Sequence, residues 1–165
     1  MIDIRPATST DRESVWEIFK SVVRAGDAFV FDPDISREEA LAYWFREDHR
    51  VYVAEHENRI IGSYIFRANQ PGLGSHIANA SFMVSPSARG LGAGRTMGEH
   101  CLREAAAAGF RGMQFNIVVS TNEAAVHLWE SLGFAIAGTL PGAFRHATLG
   151  YVDAFVMFRS LLDLR

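Results

Sequence analysis

Val84-Ser85-Pro86-Ser87-Ala88-Arg89-Gly90-Leu91-Gly92-Ala93-Gly94 decides the fold, because it joins an apolar, strand-like run to a long helical one. Gly90, Gly92 and Gly94 lack a Cβ, so backbone N–H groups there can approach an anion closely. A helix opening at about Gly92 adds unbonded donors and the positive end of its dipole, and Arg89 adds a charge-assisted contact. The stretch therefore has the chemistry of a phosphate cradle. It is not a P-loop, since no Gly-Lys-Ser/Thr follows the last glycine. Nor is it a dinucleotide fingerprint: Met97 stands where the third glycine belongs, and no acidic residue ends the next strand.

Working outward, Ile77–Val84 precedes the loop as a strand stopped by Pro86, and a helix of about Gly92 to Ala108 follows it, with Gly109 as the natural stop. Upstream, Val51–Ala54 and Ile60–Phe66 are β-branched and aromatic runs joined by Glu57-Asn58-Arg59, a hairpin pattern. Further upstream, after a short extended segment at Ile2–Arg5, Thr10-x-x-Glu13 predicts a capping box for a helix whose apolar face is Val15, Ile18, Phe19, Val22 and Val23. Ser36-x-x-Glu39 predicts another, for a helix carrying Leu41, Trp44 and Phe45. Downstream, strand Met113–Val119, helix Asn122–Ser131, strand Phe134–Thr139, loop Pro141–Gly150 and strand Tyr151–Phe158 complete the chain. Strands that first meander and then alternate with helices predict a mixed α/β sheet covered on both faces.

The chain has 165 residues, 48% hydrophobic and 21% charged, which fits one soluble domain over 1–165 and excludes a disordered, collagenous or coiled-coil protein. The net charge of −3 comes without a dense Lys/Arg block, so nucleic acid is not an expected partner. Cys101 is the only cysteine, which excludes an internal disulfide and a cysteine-based zinc site; no metal is expected, and a reducing, cytoplasmic compartment fits. Met1–Pro6 holds an acid, a base and a proline where a secretory leader needs an apolar run, and no stretch approaches membrane-spanning length.

Arg89-x-x-Gly92-x-Gly94, together with Asn122-x-x-Ala125-x-x-Leu128-Trp129-x-x-Leu132-Gly133-Phe134 at a suitable distance, resembles the GCN5-related N-acetyltransferases (GNAT) over nearly the whole chain. That resemblance implies a mostly antiparallel sheet of about seven strands, splayed between the fourth and fifth, and acetyl-CoA as cosubstrate. Backbone groups of Met83 and Val84 would pair with the pantetheine arm, and a local bulge would free an N–H for the thioester carbonyl. Arg89, Gly90, Gly92, Gly94 and the amide of Arg95 would surround the pyrophosphate, and Asn122 would bond the pantetheine. Homodimers are common in the family.

Two departures bear on mechanism. Trp129 stands where many members carry a tyrosine acid, and His76–Phe82 lacks the carboxylate base that many carry on the fourth strand. Polar residues remain in apolar strands, Asn79 and Asn116, close to where the strands would part. His76-Ile77-x-Asn79-Ala80-x-Phe82 and Phe115-Asn116-x-Val118-x-x-Thr121-Asn122 resemble the fungal azetidine-2-carboxylate N-acetyltransferases. The resemblance implies that Asn79 fixes a small amine and that Asn116 helps build the site. Other acceptors that fit are phosphinothricin, methionine sulfoximine or a peptide amine, and the missing acid and base leave a non-catalytic coenzyme A-binding module as a further class. Asp27, Phe29 and Phe31 fall where such pockets are lined, and Arg145 and His146 could meet a carboxylate. His127, Cys101 and Asp153 are expected in structural or solvent-facing roles.

Overall fold

The computed structural model describes residues 1–164. Seven strands form one sheet: β1 (Asp3–Pro6), β2 (Arg50–His56), β3 (Arg59–Ala68), β4 (Ile77–Val84), β5 (Gly112–Val119), β6 (Ala135–His146) and β7 (Gly150–Ser160). Their spatial order is β1-β2-β3-β4-β5-β7-β6, and only the β4–β5 pair is parallel. The helices are α1 (Arg12–Ala25), α2 (Arg37–Trp44), α3 (Ala93–Ala107) and α4 (Glu123–Ser131). The mixed, mostly antiparallel α/β architecture is the expected one.

Both faces of the sheet are covered, as the alternation of its strands requires. Val53, Ile65 and Met83 face α1 and α2, meeting Val15, Phe19, Val23, Leu41 and Trp44. The opposite set, including Tyr64, Phe66, Ala78 and Phe115, packs against Met97, Cys101, Leu102 and Ala105 of α3 and against Trp129 of α4. A serine is wholly buried in the first layer without cost, because Ser63 Oγ accepts from Trp44 Nε1 at 2.9 Å and donates to the Tyr52 carbonyl at 2.7 Å.

Local signals place most boundaries. Glu57 and Asn58 take positive φ (49° and 60°) in a two-residue β2–β3 turn whose twist matches the strands, so Arg59 already belongs to β3. Ser36 and Glu39 form the predicted capping box of α2. For α1 the box is shifted: Thr8 and Asp11 form it, ahead of a short 3-10 turn at Ser9–Asp11, rather than Thr10 and Glu13. Asp11 is chosen because Arg5 reaches it with two hydrogen bonds of 2.8 and 2.9 Å, which hold its carboxyl down at about 2.

The segment expected as a loop over 141–150 is mostly strand. β6 continues to His146, bent by a register break between Leu140 and Phe144, where Asp153 Oδ1 accepts from Gly142 N–H at 2.9 Å. Asp153 therefore has the structural role. The hairpin tip is tied back to the end of α1, with Ala147 N–H donating to the Gly26 carbonyl at 2.9 Å.

Candidate active site

The site is built on the gap between β4 and β5. Their pairing ends after Ile77↔Gly112 and Ala78↔Met113, and the strands then diverge. The expected bulge is not in β4, whose register with β3 runs unbroken from Gly62↔Val84 to Ala68↔Ala78. It lies in β5 instead, where the register with β7 shifts between Phe115 and Val118. Bending β5 rather than β4 leaves β4 a straight rail along the gap.

That rail has a defined polarity. Ser85 N–H bonds the Ile61 carbonyl at 2.8 Å, and the Ile77 carbonyl accepts from Asn69 N–H at 2.8 Å. In an antiparallel ladder the backbone groups of alternate residues point to the same side, so odd-numbered residues of β4 address β3 and even-numbered ones address the gap. Val84 therefore turns its N–H and C=O into the cleft, as do Ala80 and Phe82. Met83 does not: its backbone is turned to β3, and a Cβ added at Gly62 would lie 3.0 Å from its carbonyl oxygen.

Beyond Val84 the cleft opens into a cavity of about 1150 Å³ lined by Met83, Val84, Arg89, Gly90, Gly92, Gly94, Arg95 and Asn122, among others. These eight residues, expected from the sequence at the cosubstrate, are thus brought to one channel. Gly90 and Gly92 adopt φ of 84° and 80°, and a Cβ at either would project into open space. Such a cradle admits an anion against bare backbone. The N–H groups of the first turn of α3 have no intrahelical partner, whereas Thr96 N–H closes the next turn on the Gly92 carbonyl at 3.0 Å. The Arg95 side chain is engaged with Ser131 Oγ at 2.7 Å, leaving its amide to the cradle. Asn122 caps α4 by accepting from Ala125 N–H at 3.3 Å. The residues present fit a coenzyme A pyrophosphate and an extended pantetheine arm.

A second cavity of about 350 Å³ adjoins the first and shares Ala28, Phe29, Phe82, Asn122 and Ala125 with it. Its walls include Phe31, Tyr43, Arg67, Asn79, Ser81, Asn116 and Trp129. Asn79 is buried beside the last paired residue of β4 and bridges the fork by donating from Nδ2 to the Gln114 carbonyl at 2.9 Å. Its Oδ1 has no protein partner among the described residues, so one end patches the sheet and the other is left to the cavity. Asn116 differs from the expectation of a buried amide: it is exposed, on the bulge of β5. It accepts from Gln114 Nε2 at 3.0 Å and donates to Asn69 Oδ1 at 2.8 Å, closing a chain of amides across the mouth of the fork.

Trp129 packs on Phe82 and Phe115, with ring centroids 4.8 and 4.7 Å apart, and supplies a wall rather than a proton. Phe29 and Phe31 line the small cavity, whereas Asp27 and His146 line the larger one. Arg145 lines neither. His127 is exposed and bonds its own helix through Nδ1 to the Glu123 carbonyl at 2.8 Å. Cys101 is wholly buried, and burial pushes its thiol well above the ordinary value. Arg67 and Tyr43 escaped the sequence reading. The strand run seemed to end at Phe66, yet counting the unbroken register from the β4 side puts Arg67 directly opposite Asn79.

Residues 13–134 match the acetyltransferase (GNAT) family. The chain is 32% identical to N-acetyltransferase aca1 of Schizosaccharomyces pombe, with 86% of this chain and 77% of that protein covered. A GCN5-related N-acetyltransferase from Kribbella flavida superposes with a TM-score of 0.92 at 40% identity, over 96% of this chain and 97% of that one. YncA of Salmonella typhimurium, an acetyltransferase solved with its cofactor acetyl-CoA, superposes at 0.86 with 25% identity, over 98% and 94% of the two chains. With the forked sheet and the glycine cradle at the head of α3, these likenesses establish that the chain belongs to the GNAT family and is an acetyl-CoA-dependent N-acetyltransferase.

Proposed function

We propose that the acceptor is a small amino-acid-like amine of the proline-analogue type, with azetidine-2-carboxylate as its representative. The observation that carries this reading is the end of the fork: a cavity of about 350 Å³, walled by aromatic rings and lined by Asn79, whose Oδ1 has no protein partner among the described residues. An oxygen acceptor there can take the N–H of a secondary amine and aim its lone pair along the gap. Phe29 and Phe31 narrow the space against a peptide chain.

Within this proposal the cosubstrate arm runs along β4, paired with Val84 and Phe82, with its pyrophosphate at Gly90, Gly92, Gly94, Arg89 and the Arg95 amide and with Asn122 bonding the pantetheine. Bound acetyl-CoA supplies the activated acyl carbon. The amine enters as the free base, its nitrogen forms the new C–N bond, the C–S bond breaks, and the proton leaves through water. Among the described residues no carboxylate or imidazole lines the small cavity, so positioning by Asn79 replaces a dedicated base. The cleft-facing N–H groups of Ala80 and Phe82 are placed to bond a developing oxyanion. The buried Cys101 forms no acyl intermediate.

The test is thiol release from acetyl-CoA with azetidine-2-carboxylate, hydroxyproline, phosphinothricin, methionine sulfoximine, a polyamine and a peptide amine. The highest kcat/KM is expected for a cyclic imino acid, by about tenfold over the peptide amine or more, as one well-filled apolar wall can supply. A peptide amine as the best acceptor, or no turnover of any of them, would overturn the reading.

A further inference from the structure

Among the described residues lining the acceptor cavity, Arg67 is the only charged one. It makes no ion pair with any described residue. Its single hydrogen bond is a long one, from Nη1 to the neighbouring Ala68 carbonyl at 3.3 Å. Its Nε is buried and has no hydrogen-bond partner among the described residues. Nε is therefore an unspent donor, and with Nη2 it forms an edge of two parallel N–H groups that no described residue occupies. That edge matches a carboxylate in bidentate geometry. A half-buried cation with an orphaned donor is a standing cost to the fold, and an anion arriving with the substrate removes it.

The place of Arg67 adds direction. Arg67 and Asn79 are register partners across β3 and β4. Side chains of such partners leave the same face of the sheet with Cβ atoms roughly 5 Å apart. A guanidinium and an amide oxygen at that spacing suit the two ends of an α-amino or α-imino acid. Tyr43 packs edge-on against His49 at 5.2 Å and completes this wall.

We infer that Arg67 is a specificity-determining residue that binds the carboxylate of the acceptor, so that the enzyme selects α-amino or α-imino acids over amines lacking an acid group. This rests on the acceptor occupying the cavity proposed above, but not on its being cyclic.

The test compares kcat/KM for azetidine-2-carboxylate with that for its uncharged near-isostere, azetidine-2-carboxamide, in the wild type, Arg67→Gln and Arg67→Lys. The wild type is expected to prefer the acid by about 100-fold or more, because the amide leaves the guanidinium unpaired. Arg67→Gln is expected to collapse that ratio to below about fivefold, mainly through a higher KM for the acid, and Arg67→Lys to restore part of it without the bidentate fit. Retained thermal stabilisation of Arg67→Gln by acetyl-CoA reports that the variant is folded. A wild-type ratio near one, or a ratio in Arg67→Gln as large as in the wild type, would overturn the inference. If the azetidine pair is inert and another amine is turned over, the proline-analogue reading fails alone. The inference then stands when that acceptor is preferred over its own carboxamide in an Arg67-dependent way, and falls when the acceptor carries no acid group.

Discussion

Replacing Asn79 with alanine is expected to lower kcat/KM for the best amine by about 100-fold while changing the KM for acetyl-CoA by less than about threefold. The separation follows from the two ends of one amide. Asn79 lines the proposed acceptor cavity with its Oδ1 unpaired among the described residues, and in the proposed mechanism removing it deprives the amine of the contact that aims its lone pair at the acyl carbon. Nδ2 bonds the Gln114 carbonyl at 2.9 Å, so the variant also loses about 1 kcal/mol of stability. That loss is felt in Tm, not in cosubstrate affinity, because the cradle lies at the other end of β4. Initial rates with each substrate varied, together with a melting curve, check both halves. Asn116→Ala, by contrast, breaks an exposed amide chain and is expected to cost less than about tenfold. Equal losses in the two variants, or a loss confined to Tm, would reduce Asn79 to a patch on the forked sheet.

Gly92→Ala is expected to raise the KM for acetyl-CoA by about 30-fold, a loss of about 2 kcal/mol of binding. The added methyl has two separate effects. It forces an L-residue into φ of 80°, which costs about 1–2 kcal/mol of fold stability. It also places a carbon in the open space over the cradle, where the pyrophosphate is proposed to sit. Gly109→Ala isolates the first effect, since Gly109 ends the same helix region with φ of 94° and its Cβ would likewise meet nothing within 4 Å. Both variants should melt earlier by similar amounts, and only Gly92→Ala should bind acetyl-CoA more weakly. A similar rise in KM for both would mean that helix strain, not occupancy of the cradle, governs binding.

What the sequence made legible is what local chemistry encodes. The glycine spacing at 90, 92 and 94, the cap at Asn122 and the alternation of β4 are each properties of a few neighbouring residues, and those residues line the larger cavity. Register and bulges are not local. The Pro141–Gly142 pair looks like a chain break, yet Asp153 on the partner strand turns it into a bend within β6. The bulge that the resemblance implied, without fixing its strand, sits in β5 and carries the exposed Asn116. Arg67 was hidden because a charge at the end of an apolar run resembles a strand terminus. Only the pairing of β3 with β4 brings it opposite Asn79. The exposed Thr10-x-x-Glu13 motif competed with Thr8 and Asp11 and lost because Arg5, on β1, reaches Asp11.

In the proposed reaction acetyl passes in one step from thioester to the amine of a small amino acid, with both substrates in the fork together. Initial velocities with azetidine-2-carboxylate varied at several fixed concentrations of acetyl-CoA, with the product identified by mass spectrometry, test it most directly. The expected result is a family of intersecting double-reciprocal lines and an N-acetylated imino acid, with no acetyl group left on the protein. Parallel lines with an acetylated enzyme, or coenzyme A binding without any acetylated amine, would contradict it.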